Sequence, residues 1–224
     1  MLKAKPSLWL LGAAIAATGG VLLSQHRRAE SAPSYNRVSA IFPAGDPVRG
    51  RRLAEPCLAC HGAAEVMQGE PSFHPPLLRN QRVSTIFYAL QDYRGSARKS
   101  DIMGPIAQAL SDQDMRDLAV FVSGRTLRSR IPVRAVPILA DSPAHRKNGE
   151  VCGMCHGEAG FGEMDGYPAL GGQHADYLEH ALRAYRSGER TNPVMRTFAL
   201  GLKPEEIQQM ARYFAAQPNL EPIR

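Results

Sequence analysis

The feature that most constrains this chain is a five-residue string that occurs twice. Cys57-Leu58-Ala59-Cys60-His61 and Cys152-Gly153-Met154-Cys155-His156 contain all four cysteines of the 224 residues. The string C-x-x-C-H is the attachment signal for c-type haem. Its two thiols add to the two vinyl groups along one porphyrin edge, and the adjacent histidine reaches the iron. Cys57, Cys60, Cys152 and Cys155 are therefore candidate attachment points for two covalent haem c groups. His61 and His156 are the candidate proximal iron ligands. Other uses of paired cysteines fit less well. A structural zinc site would pair its two C-x-x-C units at a shorter separation than the 95 residues seen here. A redox dithiol does not need the histidine, and it usually occurs once, near a βαβ pattern.

The two strings sit inside an internal repeat. From residue 76 onward the offset between the halves is 92. Pro76-Leu77-Leu78-Arg79-Asn80-Gln81 aligns with Pro168-Ala169-Leu170-Gly171-Gly172-Gln173. Ile86, Ala89, Leu90, Tyr93 and Arg94 align with Leu178, Ala181, Leu182, Tyr185 and Arg186. The cysteines sit at offset 95, so the first half has three extra residues between its histidine and its proline.

The pattern is helical throughout. Tyr177, Leu178, Ala181, Leu182 and Tyr185 recur along one helix face. Ser111-Asp112-Gln113-Asp114 reads as a capped helix start with early acids. Lys203-Pro204-Glu205-Glu206 starts its counterpart with an early proline. No segment alternates strictly between apolar and polar, which predicts an all-α fold. Each half reads as an opening helix, the haem string, a Gly/Pro-rich loop, a middle helix, a Met-bearing loop and a last helix. The predicted domains are residues 45–124 and 142–224, joined by a linker at 125–141 that carries Arg125, Arg128, Arg130 and Arg134.

The sixth iron ligand decides what such a centre does: Met, His, Lys or an open position. Met103 aligns with Met195, and each lies seven residues before the leucine that precedes the last helix. The same placement twice makes both candidate axial ligands. Met67 and Met164 follow the haem histidines closely and are weaker rivals. His74 and His174 read as surface or loop residues, and Met115 and Met210 as core. Pro76 and Pro168 are candidates for orienting the histidines, because a proximal histidine normally gives its second ring N–H to a backbone carbonyl. The plainer reading is a loop proline.

At the N-terminus, residues 7–24 form an uncharged, mostly apolar run between Lys3/Lys5 and His26-Arg27-Arg28. Its 18 residues would span about 27 Å as a helix, close to the roughly 30 Å of a hydrocarbon core. Residues 1–28 thus read as a signal anchor or a cleaved signal peptide, with 29–44 as a tether. Both readings put the remainder in the periplasm, either tethered to the inner membrane or free after cleavage. The formal charge of +6 is shared with this N-terminus, which leaves the two halves nearly neutral. A nucleic-acid footprint would need a basic face and a matching motif, and neither is present.

The two halves resemble class I cytochrome c domains, and the tandem resembles the di-haem cytochromes of the c4 type, over residues 45–124 and 142–218. The resemblance rests on the two haem strings, on Pro168-x-Leu170-x-Gly172-Gln173 with Tyr177-Leu178, on Gly188-x-Arg190, and on Met195 before Leu202. The second half matches more closely. In the first, Arg79-Asn80 replaces small residues and Ser96 stands in the place of Gly188. The resemblance implies two haem domains packed face to face, carrying electrons between respiratory-chain components, from a donor complex to a terminal oxidase or similar acceptor. Filled coordination positions imply no small-molecule substrate at iron. The competing hypothesis is a haem enzyme, or the electron-accepting haem subunit of a periplasmic dehydrogenase, for example one oxidising thiosulfate or an alcohol.

Overall fold

The computed structural model describes residues 45–62, 72–124, 150–162 and 166–217. All of them belong to one unit, Ala44–Arg224. The predicted anchor and tether, the linker at 125–141 with its arginines, Met67 and Met164 lie outside the described residues. Among the described residues the secondary structure is helical, with no strand, and no helix is long and apolar enough to cross a membrane.

The first half contains α1 (Pro47–Leu53), α2 (Glu55–His61), α3 (Val83–Arg94), α4 (Met103–Gln108) and α5 (Asp112–Ser123). The second contains α6 (Glu150–His156), α7 (Ala175–Ser187), α8 (Pro193–Leu200) and α9 (Pro204–Ala215). Helix α5 starts where predicted. The Ser111 hydroxyl accepts from the Asp114 N–H at 3.1 Å, and Asp114 accepts the Ser111 N–H at 2.9 Å, a reciprocal cap that satisfies two otherwise orphaned donors. At α9, Glu206 accepts the Lys203 N–H at 2.7 Å.

Helix α1 crosses α5 in backbone contact. A Cβ at Gly50 would stand 2.0 Å from the Asp117 carbonyl oxygen, so only glycine fits there. Beside that crossing the buried Asp117 carboxylate is paired with Arg49 and accepts the Asp46 N–H at 2.7 Å. A carboxylate fully removed from water needs such partners.

In both halves the middle helix packs on the last helix and on the short Met-bearing helix. Ile86, Leu90, Met115, Leu118 and Val122 are buried in the first half, and Leu178, Ile207, Met210 and Phe214 in the second. Met115 and Met210 are core residues, as expected. The repeat extends to polar ties: Arg94 donates to the Leu110 carbonyl at 3.3 Å and Arg186 to the Leu202 carbonyl at 2.8 Å. These pairs differ by the same 92 residues.

The methionines lie on short helices and not in loops. Met103 opens α4, and its N–H is received by Ser100 Oγ at 3.0 Å. Met195 lies in the first turn of α8, where the Asn192 side chain accepts its N–H at 3.0 Å and Pro193 pre-sets the helical φ. Ser100 and Asn192 are repeat equivalents. Both offer the side-chain acceptor that a helix start needs, which turns the expected loop into a helical turn.

Candidate functional site

The haem strings occupy helix ends. Cys57, Cys60 and His61 lie on α2, and Cys152, Cys155 and His156 on α6. One turn of helix places the first cysteine and the histidine on neighbouring rungs. All four cysteines are half-buried, and none is in a disulfide. Burial pushes the Cys57 thiol up, and that of Cys152 up to about 11. A redox dithiol works through a depressed thiolate, the opposite direction to that of Cys57 and Cys152. Among the described residues no group of three or more His, Cys, Asp or Glu side chains gathers to hold a metal ion, as a zinc site would require.

Each string histidine is oriented by the predicted proline. His61 Nδ1 lies 2.8 Å from the Pro76 carbonyl oxygen, and His156 Nδ1 lies 2.9 Å from that of Pro168. Because the carbonyl can only accept, Nδ1 carries the proton and donates. That fixes the tautomer and leaves Nε2 with a free lone pair. Burial lowers the affinity of both rings for a second proton, with the proline carbonyls opposing it. Both imidazoles are thus held neutral, the form that ligates a metal.

Cys57, Cys60, His61 and Met103 line one cavity of about 640 Å³, within the roughly 300–1,000 Å³ typical of sites for bound small molecules. A second, narrower cavity of about 190 Å³ is lined by Cys152, His156 and Met195 and reaches His61 and Met103 as well. The structure therefore brings each string histidine to the same cavity as the methionine predicted to pair with it.

The halves meet along these cavities. Residues 97–99 run antiparallel to 189–191: Lys99 N–H donates to the Glu189 carbonyl at 3.1 Å and Thr191 N–H to that of Ala97 at 3.0 Å. This pairing sets Arg98 beside Arg190. The Arg98 guanidinium lies 5.5 Å from the Tyr93 ring centre, and that of Arg190 lies 5.4 Å from Tyr177 and 5.5 Å from Tyr185. Arg190 also donates to the Tyr177 hydroxyl at 3.3 Å. Burial works to raise the Tyr177 phenol, but Arg190 and Arg98 together outweigh it and bring it down to about 8.

These residues test whether haem fits. Both guanidiniums line the cavity that the two ligand sets share, and would offer charged partners to the carboxylates of a bound haem. Thr85 Oγ1 is buried on the same wall with no hydrogen-bond partner. An orphaned hydroxyl in an apolar cavity is costly unless a bound group completes it. Arg98 was not singled out from the sequence. Its signal was present, since it stands 92 residues before Arg190.

His74 and His174 lie in loops, as expected, but not apart. Their rings stack at 4.6 Å between centroids, and His74 Nδ1 bonds Asp176 at 2.7 Å. Phe73 stacks on His180 at 4.0 Å. The longer first-half loop thus ends against α7 of the second half.

Fold and cavities together define a class: a tandem of class I cytochrome c domains, all helical, built round covalent haem. Residues 142–214 match the family described as cytochrome c oxidase, cbb3-type, subunit III. The chain is 34% identical to a thiosulfate dehydrogenase electron acceptor of Stutzerimonas stutzeri, over 71% of this chain and 77% of that one. It is 30% identical to cytochrome c4 of Pseudomonas aeruginosa, over 76% and 88%. The crystal structure of reduced cytochrome c4 from Pseudomonas stutzeri superposes with a TM-score of 0.61 at 29% identity, covering 78% of this chain and all of that one. The chain belongs to the cytochrome c4 family of di-haem c-type cytochromes, and it is an electron carrier.

Proposed function

We propose that this chain passes single electrons between respiratory-chain components at the periplasmic face of the inner membrane, through one His/Met-ligated haem in each half. The axial pairs are His61 with Met103 and His156 with Met195. One observation carries the reading: both histidines are locked by a proline carbonyl and share a cavity with the repeat-related methionine.

When bound, each haem supplies an iron that gains and loses one electron reversibly. The chain's residues do the rest. Cys57, Cys60, Cys152 and Cys155 hold the ring by thioether bonds. Pro76 and Pro168 fix the histidine orientation. Met103 and Met195 would supply the sixth ligand to the irons, and a thioether there would keep substrates off the metal and raise the reduction potential.

Native mass spectrometry of the purified chain tests the stoichiometry, with two covalent haems expected. It also reports whether residues 1–28 are retained as the membrane anchor we propose. Low-spin spectra carrying a methionine–iron charge-transfer band for both centres are expected. A high-spin or ligand-binding centre would contradict the proposal.

A second reading concerns the partner. The S. stutzeri relative is named as the electron acceptor of a thiosulfate dehydrogenase, which supports the same donor for this chain. Mixing the oxidised chain with thiosulfate dehydrogenase and thiosulfate should reduce both haems within the enzyme's turnover time. Reduction no faster than without enzyme would leave another respiratory donor complex as the source of electrons.

A further inference from the structure

The peptide that holds each string histidine is hydrogen-bonded from the opposite half. Gln81 and Gln173 are repeat equivalents, and both are buried. Each crosses the contact between the halves with two hydrogen bonds. Gln173 Nε2 donates to the Leu77 carbonyl at 3.0 Å, and its Oε1 accepts the Leu77 N–H at 2.9 Å. Gln81 Nε2 donates to the Ala169 carbonyl at 2.9 Å, and its Oε1 accepts the Ala169 N–H at 2.8 Å.

The Leu77 N–H belongs to the same planar peptide group as the Pro76 carbonyl, which receives the proton of His61. The Ala169 N–H belongs likewise to the group whose Pro168 carbonyl receives the proton of His156. Two continuous chains result. One runs from His61 through the 76–77 peptide to Gln173. The other runs from His156 through the 168–169 peptide to Gln81. Each begins at a haem string in one half and ends on a glutamine of the other.

We infer that Gln81 and Gln173 are crossed positioning residues, each holding and polarising the peptide that orients the other half's iron-ligating histidine. An acceptor on the amide N–H pushes electron density toward the amide oxygen, because hydrogen bonds in series polarise one another. The Pro76 carbonyl thereby becomes a better acceptor, and His61 a more basic ligand. A more basic ligand favours the oxidised iron. Loss of Gln173 should therefore raise the potential of the first haem, and loss of Gln81 that of the second.

The geometry around the glutamines supports a dedicated role. Asn80 and Gly172, the residues before them, both adopt positive φ, 66° and 76°. Each glutamine N–H then closes the same turn, onto Leu78 and Leu170 at 3.1 Å. Leu77 and Ala169 are buried against each other at the centre of the contact. The two ligand-orienting segments therefore touch where the halves meet.

The inference rests on His61 and His156 being the proximal haem ligands, and its test separates the two claims. In the reduced, haem-loaded full chain, the Nδ1–H protons of His61 and His156 can be assigned by sequence with ¹⁵N NMR. Gln173→Met should shift the His61 signal and speed its exchange with water roughly five- to tenfold, the loss expected for one hydrogen bond. The His156 signal should stay in place. Gln81→Met should do the reverse, and each variant should raise only the opposite haem's midpoint potential. Gln173→Leu and Gln81→Leu, which also remove the acceptor oxygen, should give the same pattern, and they serve if a Met variant does not fold. Changes confined to the histidine of the mutated half, or equal at both, or absent, overturn the crossed arrangement. A chain that carries no haem overturns the ligand reading and this inference with it.

Discussion

The two halves keep the same backbone with different residues. At the turn before the interface glutamine the second half uses Gly172, and the first uses Asn80 at nearly the same positive φ. After the middle helix the second half turns at Gly188 with φ 91°, and the first at Ser96 with φ 61°. Asn tolerates the left-handed region because its short polar side chain bonds locally, while Ser has less relief there. The departures from the family pattern at residues 79–80 and 96 therefore preserve chain path.

The side chains facing the cavities do not stay equivalent. Thr85 stands where Tyr177 stands, and the Thr hydroxyl is unpaired while the Tyr hydroxyl meets Arg190. The first-half loop also reaches across to α7 with Phe73 and His74. The repeat thus conserves how each histidine is held and varies what surrounds each haem. Two centres with the same ligands need not share one potential.

The comparison breaks most visibly at the axial ligands. Met103→His should lower the potential of the first haem alone and Met195→His that of the second alone, by a sizeable part of the roughly 0.8 V that axial ligation spans. Potentiometric titration reads both. Movement of neither wave would remove the methionines from the iron.

A smaller effect should separate the two turns. Gly172→Ala forces a side chain into positive φ and should cost about 1–2 kcal/mol in thermal unfolding. Asn80→Gly should be neutral or mildly stabilising. An equal loss from both would show that Asn80 contributes something beyond conformation.

Hydroxyl removal comes next. Tyr177→Phe deletes a bond to Arg190, and Thr85→Val deletes the hydroxyl that the bound group is expected to complete. Each should cost about 0.5–1.5 kcal/mol in the haem-loaded protein. A silent Thr85→Val would detach that hydroxyl from the bound group.

The smallest effect is a pH dependence at the stacked histidines. Burial lowers the His174 pKa, His74 adds to this, and Asp176 opposes it. The folded state therefore prefers neutral His174. Its contribution is complete above the ordinary histidine value of about 6.5 and is lost as the pH falls below it toward the depressed folded value. His174→Phe should flatten the acid limb of the melting-temperature profile, and an unchanged limb would assign that loss to other groups.

Much of the site was legible in the sequence because its chemistry is local. The haem strings and the orienting prolines are short motifs, and the offset of 92 pairs each histidine's half with its methionine. What stayed hidden depends on how the halves pack. Gln81 and Gln173 were visible as equivalents, but not that each bonds the other half's peptide. Arg98 matters because residues 97–99 pair with 189–191, a contact that no local pattern announces. The methionine turns read as loops since Gly104, Pro105 and Pro193 suggest breaks, whereas Ser100 and Asn192 cap short helices there.

We propose two closed, independently ligated haem centres in one electron carrier. Potentiometric titration of the intact chain, followed by visible absorption, tests it most directly. Two electrons per chain are expected, with both centres low-spin in each oxidation state and the methionine–iron band lost in proportion to both. Uptake of only one electron per chain, or one centre that is high-spin or binds added ligand, would contradict it.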